Sequence, residues 1–154
     1  MLLHIPSVMK PLILFGCGDF AEIAHLYFEA AGRQVVAFTI DEPDAGSPHF
    51  RGLPVLPFAQ LSSTHPPEAY DLFVAIGYTR LNQGRSAVFH RCLNAGYTLA
   101  TYISPEASCH ASVTVGRNVF IFEHNVIQPF VRIGDDVILW SGNHIGHHSV
   151  VEDH

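Results

Sequence analysis

The segment VTVGRNVFIFEHNVIQPFVRIGDDVILWSGNHIGHHSVVEDH, residues 113–154, divides into seven consecutive hexads with an aliphatic residue at the third position of each. These residues are Val115, Ile121, Ile127, Ile133, Leu139, Ile145 and Val151. A six-residue period differs from the side-chain repeats of a helix, about 3.6 residues, and of a strand, about two. It is typical of a parallel β-helix, in which short strands and turns stack coil upon coil. The hexads therefore predict a β-solenoid for this part of the chain.

The composition of the 154-residue chain fits a globular protein of one or two small domains. Hydrophobic residues make up 48% and charged residues 14%, and the formal net charge is -6. This charge argues against a nucleic-acid partner, because phosphate binding requires clustered Lys and Arg. No segment approaches the roughly 18 apolar residues of a membrane span, so no membrane insertion is expected. Three cysteines without a pattern favour a reducing, cytoplasmic setting.

The first hundred residues alternate strand-like and helical patterns. Apolar runs predict strands at residues 11–18, 34–41, 53–57, 71–77 and 98–104. Helical spacing predicts helices over residues 19–32, 58–63 and 79–97, and the Pro/Gly-rich stretch 42–52 is predicted to be a loop. Strands and helices in alternation predict right-handed crossovers and a parallel sheet. We therefore expect a small α/β domain over residues 1–104, followed by the β-solenoid from Pro105.

Several polar or glycine residues follow the predicted strands, at the sheet edge where open α/β folds bind their ligands. They are Gly16, Cys17 and Gly18 after the first strand, Asp41 after the second, and Gly77, Tyr78 and Arg80 after the fourth. The glycine turn opens a helix, whose amino end favours an anion, and Asp41 would accept hydrogen bonds from a ribose or a base. The turn reads GCGDFA, with Ala21 in place of the third glycine of the dinucleotide fingerprint. Because no second mononucleotide-binding half follows, a nucleotide or nucleotide sugar is favoured over NAD, and a purely structural turn is the remaining alternative.

The two halves together resemble the sialic acid O-acyltransferase family and the bacterial nucleotide-sugar N-acetyltransferases. The resemblance rests on LILFGCGDFAEIA, FTIDE and FVAIGYTRLN in the first half and on VRIGDDVILWSGNHIGHHSVVEDH in the second. It implies a Rossmann-like domain that binds a nucleotide sugar, joined to a left-handed β-helix that binds acetyl-coenzyme A as co-substrate. It also implies a homotrimer, a histidine general base and a role in surface-polysaccharide or glycan biosynthesis.

Carried over by position, the general base of this family corresponds to His147, and His144 is the second candidate. Many relatives have an acid next to the base, whereas this chain has His148. Four acids remain open as the group that would orient the imidazole: Glu123, Asp135, Glu152 and Asp153. In relatives the segment with Trp140 and Asn143 lies beside the sugar, so Trp140 is expected either to stack on a sugar ring or to fill a trimer contact.

A metal-dependent β-helix enzyme is one alternative, because proteins resembling the gamma-class carbonic anhydrases hold zinc with histidines. Ligands stacked on successive coils would be about 18 or 36 residues apart, and no two of the six histidines in the repeat have either spacing. We therefore assign no metal ligands. A catalytically silent module that binds nucleotide sugars or supports assembly is the other alternative. Since relatives continue for several more coils, the β-helix is also expected to be truncated at His154, and the chain's own activity is then in doubt.

Overall fold

The computed structural model describes residues 9–43, 48–78 and 80–154. The middle of the predicted loop 42–52 and Thr79, where the third helix was predicted to begin, lie outside the described residues. Within the described ranges, no helix is long and apolar enough to cross a membrane.

A five-stranded sheet with helices on both faces forms the first half of the chain. Its strands are β1 (Leu12–Phe15), β2 (Val35–Ile40), β3 (His49–Phe50), β4 (Leu53–Pro57) and β5 (Asp71–Val74), in the order β3-β4-β2-β1-β5. The helices are α1 (Asp19–Ala30), α2 (Phe58–Thr64) and α3 (Gln83–Asn94). All neighbouring strands are parallel except β3 and β4. The predicted parallel α/β domain is thus confirmed, whereas the short strand β3 lies inside the predicted loop and was not predicted.

The two central strands, β1 and β5, are apolar on both faces, because helices cover the sheet on either side. Leu12 and Leu14 of β1 pack with Phe28 of α1, whereas Ile13 packs with Phe89 of α3. All of these side chains are buried. A continuous apolar run is what a strand covered on both faces requires.

Nine two-residue strands continue the chain as a parallel β-helix. They are β6 (Tyr102–Ile103), β7 (Ser108–Cys109), β8 (Thr114–Val115), β9 (Phe120–Ile121), β10 (Val126–Ile127), β11 (Arg132–Ile133), β12 (Ile138–Leu139), β13 (His144–Ile145) and β14 (Val150–Val151). They form three sheets of three strands each, β12-β9-β6, β13-β10-β7 and β14-β11-β8. Residues 18 apart pair across neighbouring coils, for example Ile127 with Ile145. The seven aliphatic residues of the hexads all occupy the second position of a strand and contribute to the solenoid core. The hexapeptide prediction is therefore confirmed.

Each hexad ends in a turn whose sixth residue has a positive φ angle. These residues are Asn118, His124, Phe130, Asp136, Gly142, His148 and His154. The left-handed region is unfavourable for most side chains and least so for Gly, Asn and Asp. The same backbone turn therefore recurs every six residues with a different side chain each time.

The transition between the two halves differs from the sequence prediction. Residues 98–104 were predicted as one strand of the first sheet, but Leu99 alone bridges Leu72 of β5. Tyr102 already pairs with Phe120 of the β-helix. The prediction holds at Leu99 and is wrong from Tyr102 onward, because an apolar run gives no sign of where the chain passes from one sheet to the next. The division of the chain into domains at residue 104 stays a prediction.

The sheet β12-β9-β6 packs against α1 through an aromatic cluster. Phe120 is fully buried at its centre, stacked on Tyr102 at 4.7 Å and in contact with Phe20, Phe28 and Phe73. Its neighbours come from both halves of the chain, so neither half has a complete apolar core without the other.

A buried polar network joins α3 to the β-helix beside this cluster. The guanidinium of Arg85 donates to Asp136 at 2.8 Å, and both side chains are at most 2% exposed. The amide of Asn118 donates to the same carboxylate, and its oxygen accepts the backbone N–H of Val74. Because a buried charge is tolerated only when it is paired and hydrogen-bonded, this network holds the two halves in one orientation.

Candidate functional site

The candidate site is a cavity of about 580 Å³ at the carboxyl ends of β1 and β5. It is bounded by the turn before α1 and by one residue of the β-helix, Trp140. Six of the nine residues predicted to bind substrate line it: Gly16, Cys17, Gly18, Gly77, Tyr78 and Trp140. Parallel strands end at one edge of a sheet, which is why residues about 60 positions apart meet here.

Gly16 and Gly18 in the turn before α1 have different structural roles. Gly16 has a φ of +126°, and a Cβ added to it would lie 2.6 Å from the carbonyl oxygen of Ala75. Gly18 has an ordinary extended conformation, and a Cβ there would meet nothing within 4 Å. Gly16 is therefore required by the close approach of two strand ends, whereas Gly18 leaves space in the cavity unfilled.

This difference predicts opposite outcomes for two alanine substitutions. Gly16→Ala is expected to lower the free energy of unfolding by about 1–3 kcal/mol, through backbone strain and the clash with Ala75. Gly18→Ala is expected to lower it by less than about 1 kcal/mol, because no clash arises and only the N-cap preference for glycine over alanine is lost. Urea denaturation of both variants measures this, and equal losses would contradict the assignment.

The amino end of α1 faces the cavity. Gly18 is its N-cap, and no side chain caps the first turn. The free N–H groups of a first helical turn carry partial positive charge and favour an anion. The carboxylate of Asp19 lies in the same turn, and its negative charge opposes the positive potential of these N–H groups. An anion bound here would therefore depend on direct hydrogen bonds from the backbone.

The aromatic side chains of the cavity are partly exposed. Trp140 is 44% exposed and lies parallel to Phe122, with ring centroids 4.6 Å apart. Tyr78 is 69% exposed. Burial raises the pKa of the Cys17 thiol in the same wall, which keeps it protonated and makes it a poor nucleophile.

Three predicted binding residues lie outside the lining. Asp41 forms an ion pair with Arg91 of α3, whose hydrogen bonds lower the pKa of its carboxyl. The amide of Asn143 donates to the side-chain oxygen of Asn125 one coil below, at 2.8 Å. Arg80 is exposed beyond Tyr78. A binding role for these three residues stays a prediction.

A second cavity, of about 480 Å³, adjoins the first and shares Tyr78 and Trp140 with it. Its walls include the buried Arg85–Asp136 pair and the last residues of the third coil, Glu152 to His154. This cavity was not predicted, because Arg85 and Asp136 are 51 residues apart and the hexad that contains Asp136 does not indicate what its side chain contacts.

The histidines predicted to be catalytic lie elsewhere on the coil. His144 is exposed on β13, and His147 and His148 occupy the turn between β13 and β14. The first half of the chain covers the sheet that contains β12, so this turn is the corner of the triangular coil opposite that sheet. The cavity and the histidine pair are therefore on different sides of one chain.

Most of the acids that were left open as the partner of His147 have other partners. Glu123 accepts hydrogen bonds from Tyr27 and Ser141, and its own backbone N–H and the Ser141 hydroxyl lower the pKa of its carboxyl. Asp135 binds Arg117, and Asp153 accepts the backbone N–H of Asp135. Glu152 lies beside the second cavity. Among the residues described, the ring of His147 has one hydrogen-bond partner, which is the ring of His148.

No group of three or more His, Cys, Asp or Glu side chains that would hold a metal ion occurs in the described part of the chain.

A Rossmann-like sheet with a cavity at its strand ends is thus joined to a hexapeptide β-helix in one chain. The family described as PglD N-terminal domain matches residues 11–92, more than half of the chain, and the family described as bacterial transferase hexapeptide (six repeats) matches residues 112–147. The chain belongs to the PglD N-terminal domain family and carries hexapeptide repeats after that domain.

Solved structures show the same arrangement. PerB from Caulobacter crescentus, crystallised with CoA and GDP-perosamine, is 26% identical with a TM-score of 0.72, over 93% of this chain and 63% of that one. A variant of perosamine N-acetyltransferase from the same organism, with the same two ligands, has a TM-score of 0.75. The acetyltransferase domain of PglB from Neisseria gonorrhoeae is 21% identical with a TM-score of 0.76, over 94% of this chain and 68% of that one, which supports the fold alone. This chain thus spans less than two thirds of the length of PerB. No curated protein matches the sequence.

Proposed function

We propose that this chain binds a nucleotide-linked sugar and supplies the general base of an acetyl-coenzyme A-dependent sugar acetyltransferase. The observation that carries the proposal is the cavity shared by the glycine turn of the first half and Trp140 of the second. The 26% identity to PerB, which was crystallised with CoA and GDP-perosamine, supports the same substrate classes. A pathway in surface-polysaccharide or glycan synthesis, in the cytoplasm, is part of this proposal.

The nucleotide diphosphate would lie at the amino end of α1. Backbone N–H groups of the first turn favour phosphate oxygens, and the open space at Gly18 lets a ligand approach the backbone closely. The sugar would extend toward the β-helix, where the exposed face of Trp140 offers an apolar surface to a sugar ring. The second cavity beyond Trp140 leaves room for ring substituents.

His147 would act as the general base. An amine or hydroxyl of the sugar becomes a good nucleophile when a neutral imidazole takes its proton near pH 7. The nucleophile would attack the thioester carbonyl of acetyl-coenzyme A, and a backbone N–H of an adjacent coil would stabilise the oxyanion. The coenzyme A thiolate would leave with the proton, so no covalent enzyme intermediate is needed.

A homotrimer is part of the proposal, and the opposite placement of cavity and histidines supports it. A protomer's own His147 lies across the coil from its own cavity. A neighbouring copy would supply the histidine corner to each cavity, and acetyl-coenzyme A would lie along the β-helix between them.

Calorimetric titration with GDP-, UDP- and dTDP-sugars, together with acetyl-coenzyme A, tests the binding part of the proposal. We expect one sugar nucleotide to bind wild type, and Gly18→Val to weaken its binding about 10-fold or more, because the added side chain fills the space beside the helix. The urea midpoint of Gly18→Val, compared with that of wild type, tests for a general effect on folding. Failure of every nucleotide to bind would overturn the proposal.

Acetyl transfer to the bound sugar then separates an enzyme from a silent binding module. Binding without turnover, in a preparation that also binds acetyl-coenzyme A, would favour the silent module. Stoichiometric zinc in purified protein would favour the metal-dependent alternative.

A further inference from the structure

The rings of His147 and His148 make direct contact at the corner of the third coil. Their Nδ1 atoms are 3.0 Å apart, and the two ring planes are perpendicular. A contact of this length between two ring nitrogens is a hydrogen bond, in which one Nδ1 carries the proton and the other accepts it.

Such a pair fixes the tautomers of both rings together. The ring that donates through Nδ1–H has its lone pair on Nε2, which is then the basic nitrogen. The ring that accepts at Nδ1 carries its proton on Nε2 and cannot act as a base there. One neutral pair therefore presents one basic Nε2 and one Nε2–H.

Contacts with the coil below hold the two residues. The ring of His148 packs on Phe130, 18 positions earlier in the same left-handed turn, with centroids 4.8 Å apart. The backbone N–H of His147 donates to the side-chain oxygen of Gln128 at 2.9 Å. The coil below thus supports the His148 ring, whereas the ring of His147 makes its one hydrogen bond to His148 among the residues described.

We propose that His148 is a positioning residue for the general base. Its Nδ1 accepts the Nδ1–H of His147, which leaves the lone pair of His147 on Nε2, the nitrogen that takes the substrate proton. The inference rests on the proposed function, since it assigns the base to His147. During transfer the sugar N–H or O–H proton moves to Nε2, the new bond forms at the acetyl carbonyl, the C–S bond breaks, and the proton passes to the coenzyme A thiolate. The Nδ1–H bond to His148 is kept throughout.

A neutral partner differs from a carboxylate in what it contributes. It selects the tautomer and the ring orientation, but it offers the imidazolium no opposite charge. Substitutions at His148 should therefore act through the hydrogen-bond acceptor. Asn and Gly are both tolerated at this position, where φ is +62°. They differ in that the Asn side chain has an oxygen at the distance of Nδ1 from the backbone.

The tautomers can be read directly, without any assay of activity. We expect nitrogen NMR of ¹⁵N-histidine-labelled protein at a pH where both rings are neutral to show protonated Nδ1 and bare Nε2 in His147, and the reverse in His148. In His148→Gly, both tautomers of His147 should be populated. The reverse assignment in wild type, with Nε2 of His147 protonated, would overturn the proposal and make His148 the basic ring.

Turnover supplies the second readout. We expect His148→Gly to lower kcat about 10–100-fold, a loss of the size that follows removal of the hydrogen-bond partner of a metal-bound histidine, with KM for the sugar nucleotide unchanged. His148→Asn should restore most of kcat, whereas His148→Gln, whose amide is one bond too far, should not. Equal activity of the Gly and Asn variants would overturn the positioning role. Absence of acetyl transfer in wild type would count against the proposed function, while the NMR result would still decide the tautomer.

Discussion

His147→Ala is expected to lower kcat for acetyl transfer by about 10²–10⁴-fold, the usual contribution of a positioned general base. Affinity for the sugar nucleotide should stay within a factor of about two, because a general base acts on the acceptor group of the sugar, whereas the nucleotide would be held at the amino end of α1. Steady-state kinetics measure the first quantity and calorimetry the second.

His110→Ala is the matched control for this variant. His110 is an exposed histidine on a turn of the same β-helix, and its ring bonds only Ser112 in that turn among the residues described. It should retain full turnover. Near-normal kcat in His147→Ala would contradict the assignment of the base and direct attention to His144.

Phe120→Ala is expected to lower the free energy of unfolding by about 3–5 kcal/mol, which includes both the lost apolar contacts and the cavity left behind. The loss should be near the upper end, because Phe120 is fully buried and contacts rings from α1, β5 and β6. Phe120→Leu, which keeps most of the volume, should lose less.

Two spectroscopic signals report on this change. Trp140 is the single tryptophan and packs on Phe122 and Phe20, so its fluorescence follows the junction between the halves, whereas far-ultraviolet circular dichroism follows the whole chain. Both signals should change at one, lowered urea midpoint. Phe130→Ala, at an exposed phenylalanine, should change stability by less than about 1 kcal/mol. Two separate transitions in wild type would show that the halves unfold independently.

The fold could be predicted from the sequence wherever a repeating local pattern decided it. The six-residue aliphatic spacing predicted every strand position from Val115 onward, since one inward side chain per strand is a local requirement of the solenoid. The strand β4 was predicted at its observed bounds, residues 53–57. The strand assigned to residues 98–104 was wrong from Tyr102 onward, because its pairing there is decided by how the two halves dock.

The candidate site could be predicted only in part, because much of it also depends on how the two halves dock. The glycine turn and Gly77 could be predicted to share one sheet edge from the rule for parallel strands. Nothing local indicates that Arg91 pairs with Asp41, that Arg85 pairs with Asp136, or that His148 contacts His147 through Nδ1. Those contacts depend on side-chain directions and on docking across long stretches of sequence.

The recurring left-handed turn has a consequence for insertions and deletions in this chain. Removal of 18 residues would delete one full coil and return each remaining turn to its column, with the aromatic sheet still facing α1. Removal of six residues would keep every hexad intact but shift each later strand to the next sheet of the solenoid. The sheet that then faced α1 would carry side chains that are exposed in this structure. Length variation is therefore expected in whole coils, and a change of any other size would separate the histidine corner from the cavity it is proposed to serve.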